Sequence, residues 1–193
     1  MGRIVVTEFI SLDGVMEDPG GAEGYRHGGW TFTFDRSDEG DKFKYDELVS
    51  SEAQLLGRVT YDGFAKAWPT IEDEVGFADK MNSSPKYVIS KTLTNPTWNN
   101  TTVLSGDPVE EIKALKKQIE GDILVAGSAQ LVHLLTANDL VDEYHLMVFP
   151  VLLGTGKKVF ADTDVATPTR LKVVSDVRAG DVQMVVLRPE RES

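Results

Sequence analysis

The sequence predicts an α/β fold built on a central, mostly parallel twisted sheet, with helices on both faces and an antiparallel C-terminal edge. Three observations predict it. The pattern begins β-α-β-α-β and closes all-β, the order of crossover units followed by a hairpin. The opening run Arg3–Ile10 is short, β-branched and apolar, as a strand covered on both sides should be. The two closing runs, Thr169–Val177 and Val182–Leu187, flank Ala179-Gly180 and read as an antiparallel pair.

Taken in order, the first strand breaks at Ser11-Leu12-Asp13-Gly14, a turn sequence that delivers a polar loop. Pro19 to Gly40 is rich in Gly, Asp and aromatics (Tyr25, Trp30, Phe32, Phe34) without a clean period, and it predicts a long functional loop packed over something. Asp41–Ser51 has helical spacing with Phe43, Leu48 and Tyr45 inward, and the strand Ala53–Gly57 follows. A second helix carrying Val59, Phe64 and Ala67 opens after Gly57 and stops at Trp68-Pro69, where the proline forces its predecessor out of helical geometry. Lys86–Ser90 is a strand. Pro108–Ile119 is a helix with Asp107 as cap, Pro108 in its first position and Gly121 at its end. Asp122–Ala126 is a strand, Gly127–Leu135 a helix and Glu143–Phe149 a strand.

Composition narrows the function. A chain of 193 residues with 41% apolar and 26% charged side chains is expected to fold as one domain spanning residues 1–193. The net charge of −11 repels phosphate backbones and anionic lipid, so neither nucleic acid nor membrane is an expected partner, although a local anion site at a helix start is compatible with it. The absence of cysteine removes disulfides, thiolate catalysis and soft metal sites, and the three dispersed histidines, His27, His133 and His145, predict no metal. The N-terminus leads straight into a strand pattern with no signal-like segment, which predicts a cytoplasmic protein.

Two strand-to-helix junctions carry glycine where a phosphate would need close backbone approach. One is Gly57-Arg58-Val59-Thr60-Tyr61, where Arg58 adds a cation and Thr60 a hydroxyl; the other is Gly127-Ser128-Ala129-Gln130. Each glycine also fits a plain tight turn. The sequence has no G-x-G-x-x-G after its first strand and no G-x-x-x-x-G-K-[ST], so the common Rossmann and P-loop fingerprints are missing.

These motifs, with Ser11-Leu12-Asp13-Gly14 before them and Pro150-Val151-Leu152-Leu153-Gly154-Thr155-Gly156 after, resemble the dihydrofolate reductase-like family that includes the C-terminal reductase domain of the bacterial riboflavin biosynthesis deaminase-reductase. The resemblance covers nearly the whole chain. It implies NADPH as cofactor, with Gly57, Arg58, Val59 and Thr60 at one end of the pyrophosphate and Gly127, Ser128, Ala129 and Gln130 at the other. It also implies Ser90 and Lys91 beside the adenosine 2′-phosphate. The missing H-x-E…P-C-x-x-C signature predicts a stand-alone reductase rather than a complete deaminase-reductase.

The same resemblance implies a buried carboxylate near the start of the first long helix. Counting back from Gly57 places it at Asp41, whose other reading is a solvated helix N-terminus. Asp13 is the second candidate, as a catalytic group or as part of a turn. Asp46 and Glu47 read as surface residues, Lys157 and Lys158 as solvated, and His133 and His145 as without chemistry. The expected activity is hydride transfer from NADPH to a small heterocyclic substrate, pterin-like or ribosylaminopyrimidine-like, in a homodimer. The alternative is a nucleotide-binding regulatory or structural homodimer without turnover.

Overall fold

The computed structural model describes residues 1–160 and 168–191. In chain order the elements are β1 (Arg3–Ser11), α1 (Ser37–Ser50), β2 (Ser51–Gly57), α2 (Arg58–Ala67), α3 (Phe77–Ser83), β3 (Lys86–Ile89), β4 (Thr101–Leu104), α4 (Pro108–Gln118), β5 (Asp122–Ala126), α5 (Ala129–Ala137), β6 (Glu143–Phe149), β7 (Leu171–Ala179) and β8 (Val182–Pro189). The strands form one sheet in the order β4-β3-β2-β5-β1-β6-β8-β7. Every neighbouring pair from β4 to β6 is parallel, whereas β8 runs antiparallel to β6 and to β7. The sheet is thus mostly parallel with an antiparallel edge, as the sequence predicts.

Alternation along β1 explains the layering. Ile4, Val6 and Ile10 join Ile123 and Val125 of β5 in a core beneath α4 and α5, which contribute Ile112, Leu115, Leu131, Val132 and Leu135. Val5 points the other way, with Leu56, Val88 and Leu124, into a core closed by Leu48, Tyr61, Met81 and Trp98. Each fully buried aliphatic side chain contributes about 1.5–3 kcal/mol, so slipping β1 by one residue would reverse both faces at once. A third cluster holds Trp30, Met147, Phe149 and Met184. Here the aromatic loop finds its floor: Trp30 stands edge-on to Phe149 at 5.3 Å and donates from Nε1 to the Glu17 carbonyl at 2.9 Å.

Several elements differ from expectation. α1 starts at Ser37 rather than Asp41 and α5 at Ala129 rather than Gly127, because Gly127 and Ser128 adopt left-handed backbone. α3 and β4 have no counterpart in the sequence reading. α3 spans under two turns, too short to display a period, and Asp73 anchors its start by accepting from the backbone N–H groups of Val75, Phe77 and Ala78. β4 is four residues, half threonine, at the sheet edge. α4 behaves as predicted, with Asp107 accepting from Val109 and Glu110 ahead of Pro108. Lys86, at the first position of β3, is fully buried. Its ammonium donates to the carbonyls of Asn82, Ser84 and Asn99 and lies 4.3 Å above the Trp98 ring, while burial pushes its pKa down to about 8.

The carboxyl ends of the parallel strands lie at one end of the sheet, so Ser11, Gly57, Ser90, Ala126 and Phe149 fall at the end where open α/β sheets receive ligands. Among the described residues no helix is long and apolar enough to cross a membrane.

Candidate active site

The two glycine junctions are in direct contact. The Gly57 N–H donates to Ser128 Oγ at 2.9 Å, and that hydroxyl donates to Thr60 Oγ1 at 2.6 Å. A Cβ on Gly57 would lie 2.6 Å from Ser128 Oγ, and one on Gly127 would lie 2.9 Å from Thr60 Cγ2. Gly127 (φ 73°) and Ser128 (φ 68°) are consecutive left-handed residues, a conformation natural to glycine and costly for serine. This turn aims α5 so that its start lies beside that of α2. Neither helix start has a side-chain cap, so both present free backbone N–H groups and the positive end of the helix dipole to one region.

The cations and hydroxyls expected around those starts are near them. Arg58 Nε is held by both oxygens of Asp62 at 2.9 Å, and its Nη1 reaches Thr92 Oγ1 at 3.3 Å, tying α2 to the loop after β3. In that loop Ser90 Oγ accepts from the N–H groups of Thr92 and Leu93, and Lys91 is exposed. Val59 and Gln130 face solvent, so they could contribute backbone more readily than packing.

The carboxylates require correction. Asp41 is not the buried acid of the first helix: its side chain is 64% exposed and its Oδ1 pairs with Arg36 Nη2 at 2.8 Å. Because α1 begins at Ser37, the sheet-facing positions fall at Gly40, Lys44, Glu47 and Leu48, and the buried acid is Glu47, which the sequence reading left on the surface. Glu47 accepts from Thr7 Oγ1 at 2.7 Å, from His145 Nδ1 at 3.0 Å and from the Lys44 ammonium. Burial alone would raise its pKa, but Lys44, His145 and Thr7 together hold it below the ordinary carboxylate value. His145 also meets Glu143 Oε1 at 3.2 Å, and Glu143 carries Arg3 and Arg188 on its other oxygen. His145 is therefore no idle packing residue; it joins a carboxylate of α1 to one of its own strand. Arg36 and Lys44 lie 5.4 and 5.0 Å from the centre of the Phe9 ring.

Asp13 is likewise unsuited to donating a proton. It accepts from Ser11 Oγ at 2.6 Å and from the backbone N–H groups of Leu153 and Gly154 at 3.1 and 2.7 Å. These bonds, led by the Ser11 hydroxyl, hold it down at about 2, so it stays ionised and occupied. Its work is to clasp the turn after β1 to the segment after β6, which also exchanges backbone bonds with it at Leu12, Gly14 and Met16. Lys157 in that segment is paired with Glu17 at 3.2 Å rather than simply solvated.

A residue the sequence reading passed over is Glu8. It lies in β1, is 6% exposed, and its Oε1 is buried with no hydrogen-bond partner. Burial pushes its pKa up to about 8 against the pull of Lys44 and the Gly127 N–H. The available signal was an acid inside the otherwise apolar run Ile4–Ile10.

Residues 3–185 match the family described as RibD C-terminal domain. The chain belongs to this family. It is similar to the uncharacterized protein YyaP of Bacillus subtilis (strain 168), with 29% identity over 186 residues that cover 95% of this chain and 93% of the other. Among solved structures it is similar to the Thermotoga maritima diaminohydroxyphosphoribosylaminopyrimidine deaminase/5-amino-6-(5-phosphoribosylamino)uracil reductase, with TM-score 0.67 and 17% identity over 98% of this chain and 57% of that longer one. It is also similar to dihydrofolate reductase from Enterococcus faecalis complexed with NADP(H) and RAB-propyl, with TM-score 0.57 and 14% identity over 98% of each chain. The fold is dihydrofolate reductase-like.

In this RibD C-terminal domain the strand ends lie apart from a cavity of about 310 Å³ lined by Arg3, Asp142, Arg188, Pro189 and Arg191. That cavity lies at the opposite pole, where β1 begins and β8 ends, and its guanidinium groups are already paired with Asp122, Glu143, Asp139 and Asp142. The starts of α2 and α5, by contrast, carry no side-chain caps. Among the described residues no cluster of three or more histidines and acids could hold a metal ion.

Proposed function

We propose that this protein is an NADPH-dependent reductase that transfers a hydride to an electron-poor C=N or C=O carbon of a small heterocycle. The observation that carries the reading is the pair of uncapped helix starts, α2 and α5, locked side by side through Ser128. Two adjacent sets of free N–H groups suit a pyrophosphate, and the missing Cβ atoms at Gly57 and Gly127 are what let the two turns come together. The family supports the chemistry: one similar structure is named as a uracil-derivative reductase and another is a reductase complexed with NADP(H).

NADPH, when bound, supplies the hydride. The backbone N–H groups of Arg58, Val59 and Thr60 would hold one phosphate and those of Ser128, Ala129 and Gln130 the other, while Ser90 and Lys91 would meet the 2′-phosphate. At the carboxyl end of β1, the Phe9 ring offers an aromatic face and the Lys44 ammonium a cation for ring carbonyls. Orienting the heterocycle there is the protein's main contribution to rate. The reading includes a single domain and a homodimer. The edge strand β7, with Val173, Val174 and Val177 exposed, is the face we assign to self-association.

The test is fluorescence titration with NADPH and NADH, repeated with Arg58→Ala and Lys91→Ala, followed by absorbance assays with dihydrofolate and ribosylaminopyrimidines. The reading expects preference for NADPH, weakened in both variants, and oxidation of NADPH by one of those substrates. Binding without oxidation by any heterocycle would favour a regulatory nucleotide-binding role, and no binding of either nucleotide would remove the reductase reading altogether.

A further inference from the structure

We propose that Glu8 is the residue that seats the carboxamide of the reactive nicotinamide ring; the inference rests on the NADPH reading above.

Three features of the molecule lead to it. The first is register. β1 and β5 pair from Arg3 with Asp122 to Thr7 with Ala126, so the next residue of β1, Glu8, lies level with Gly127, where β5 turns out of the sheet. On its other side Glu8 pairs with Leu146 of β6, so it stands at the notch between the central strand and the turn that starts α5. By alternation its side chain shares the face of Val6 and Ile10, the α5 side, one strand away from the proposed pyrophosphate site. A dinucleotide held at that turn would have its second ribose and nicotinamide within reach of this notch.

The second feature is an unmet hydrogen bond. Among the described residues, Glu8 Oε1 is the one buried side-chain oxygen or nitrogen without a partner. Buried polar groups nearly always have one, so an oxygen left without one inside a sheet has room in its bonding for an incoming donor. The neighbouring strand residue Thr7 shows the contrast, since its hydroxyl is fully engaged with Lys44 and Glu47.

The third is charge. The groups acting on Glu8 are Lys44 and Glu47 from α1, Glu23 from the loop after β1, and the Gly127 N–H from the β5–α5 turn. Burial dominates, Glu47 and Glu23 add to it, and Lys44 and Gly127 oppose it, so the carboxyl is kept neutral through neutral pH. A neutral carboxyl has one O–H donor and one carbonyl acceptor side by side, the complement of a primary carboxamide, which offers a C=O and an N–H in the same spacing. A carboxylate could only accept. Neutrality also avoids setting a negative charge beside the phosphates that the helix starts attract.

The experiment is calorimetric titration of the full chain with NADPH and with its 3-acetylpyridine analogue, in which a methyl ketone replaces the carboxamide and the N–H donors are lost. Wild type is expected to prefer NADPH by about tenfold, a common effect of leaving a buried partner unpaired. Glu8→Leu should bring that preference close to one, while Glu8→Gln, which keeps a donor and an acceptor, should retain it. With pH, wild-type affinity for NADPH should hold to about 8 and then fall by up to tenfold per pH unit as Glu8 ionises, and Glu8→Gln should stay flat over the same range. Equal affinity of wild type for the two nucleotides, or the same pH profile in wild type and Glu8→Gln, overturns the role of Glu8 while leaving the cofactor reading intact. Wild type that takes neither nucleotide overturns the cofactor reading, and this inference with it. Should Glu8→Leu fail to fold, the pH comparison with Glu8→Gln decides.

Discussion

Substituting Gly57 by alanine would probe the interlock of the two helix starts more sharply than removing any side chain. Gly57 has φ −81°, a backbone any residue adopts, so the cost of a methyl group is steric alone. The new Cβ would stand 2.6 Å from Ser128 Oγ and 2.9 Å from Ser128 Cβ, with its next neighbour, Leu131 Cβ, at an ordinary 4.0 Å. Overpacking of this kind costs about 1–3 kcal/mol. Ser128→Gly loses both hydroxyl bonds, from the Gly57 N–H and to Thr60, about 2 kcal/mol together, and recovers about 1 kcal/mol by relieving a left-handed non-glycine residue, so alone it should cost about 1 kcal/mol. Ser128→Gly also takes away both atoms that the added methyl group would strike. The double variant should therefore be almost as stable as Ser128→Gly, a favourable coupling of about 1–3 kcal/mol. Urea unfolding of the four proteins at one pH measures it, read as midpoint shifts at constant slope. Strict additivity, with the double variant carrying the full Gly57→Ala loss, would refute the claim that these two turns press on one another.

Other perturbations follow from the same contacts. Glu8 has a folded pKa of about 8 against an ordinary 4.5, so the folded state binds the extra proton and stability falls as pH rises through that window, by at most about 5 kcal/mol. The stability advantage of Glu8→Gln should accordingly grow from near zero at pH 4.5 to its maximum above 8, and an advantage that does not vary with pH in urea titrations would contradict the burial argument. Asp13→Ala should cost about 1–3 kcal/mol and speed hydrogen exchange at the Leu153 and Gly154 amides, which lose their acceptor; unchanged exchange there would mean the clasp is not held by this carboxylate. Since Asp13 is held at about 2, below its ordinary 3.8, its stabilisation is complete above the ordinary value and disappears as pH falls through about 2. Asp107→Ala should lower stability by about 1 kcal/mol by exposing the first N–H groups of α4, with no effect on nucleotide affinity.

What the sequence disclosed and what it hid have physical causes. β1, α2 and α4 were legible because apolar runs, a glycine or Asp-Pro start and a proline or glycine stop agree on the same boundaries. Gly57 and Gly127 stood out because a missing Cβ is visible in a sequence, whereas the Ser128 hydroxyl that joins them depends on a contact across 71 positions. α1 misled for the opposite reason. Its sheet-facing side carries Gly40, Lys44 and Glu47, with Leu48 its main apolar anchor, so no hydrophobic stripe gives the phase of the helix. A charged inner face looks like a surface face until Thr7 and His145 are seen to receive it. Counting from Gly57 to Asp41 assumed equal lengths between related elements, and nothing local could correct that count. Glu8 was overlooked because a single acid in a strong strand pattern scores as noise, although an acid in a buried strand is the more informative residue of the two kinds.

The claim that matters most is that the starts of α2 and α5 together receive a pyrophosphate. Backbone amide resonances of the ¹⁵N-labelled chain, followed during addition of NADPH, test it most directly. The account predicts that the largest shifts fall together on Arg58, Val59 and Thr60 and on Ser128, Ala129 and Gln130, with Ser90 and Lys91 moving less when NADH replaces NADPH. Shifts centred on the Arg3, Arg188 and Arg191 cavity, or confined to one of the two helix starts, would contradict it.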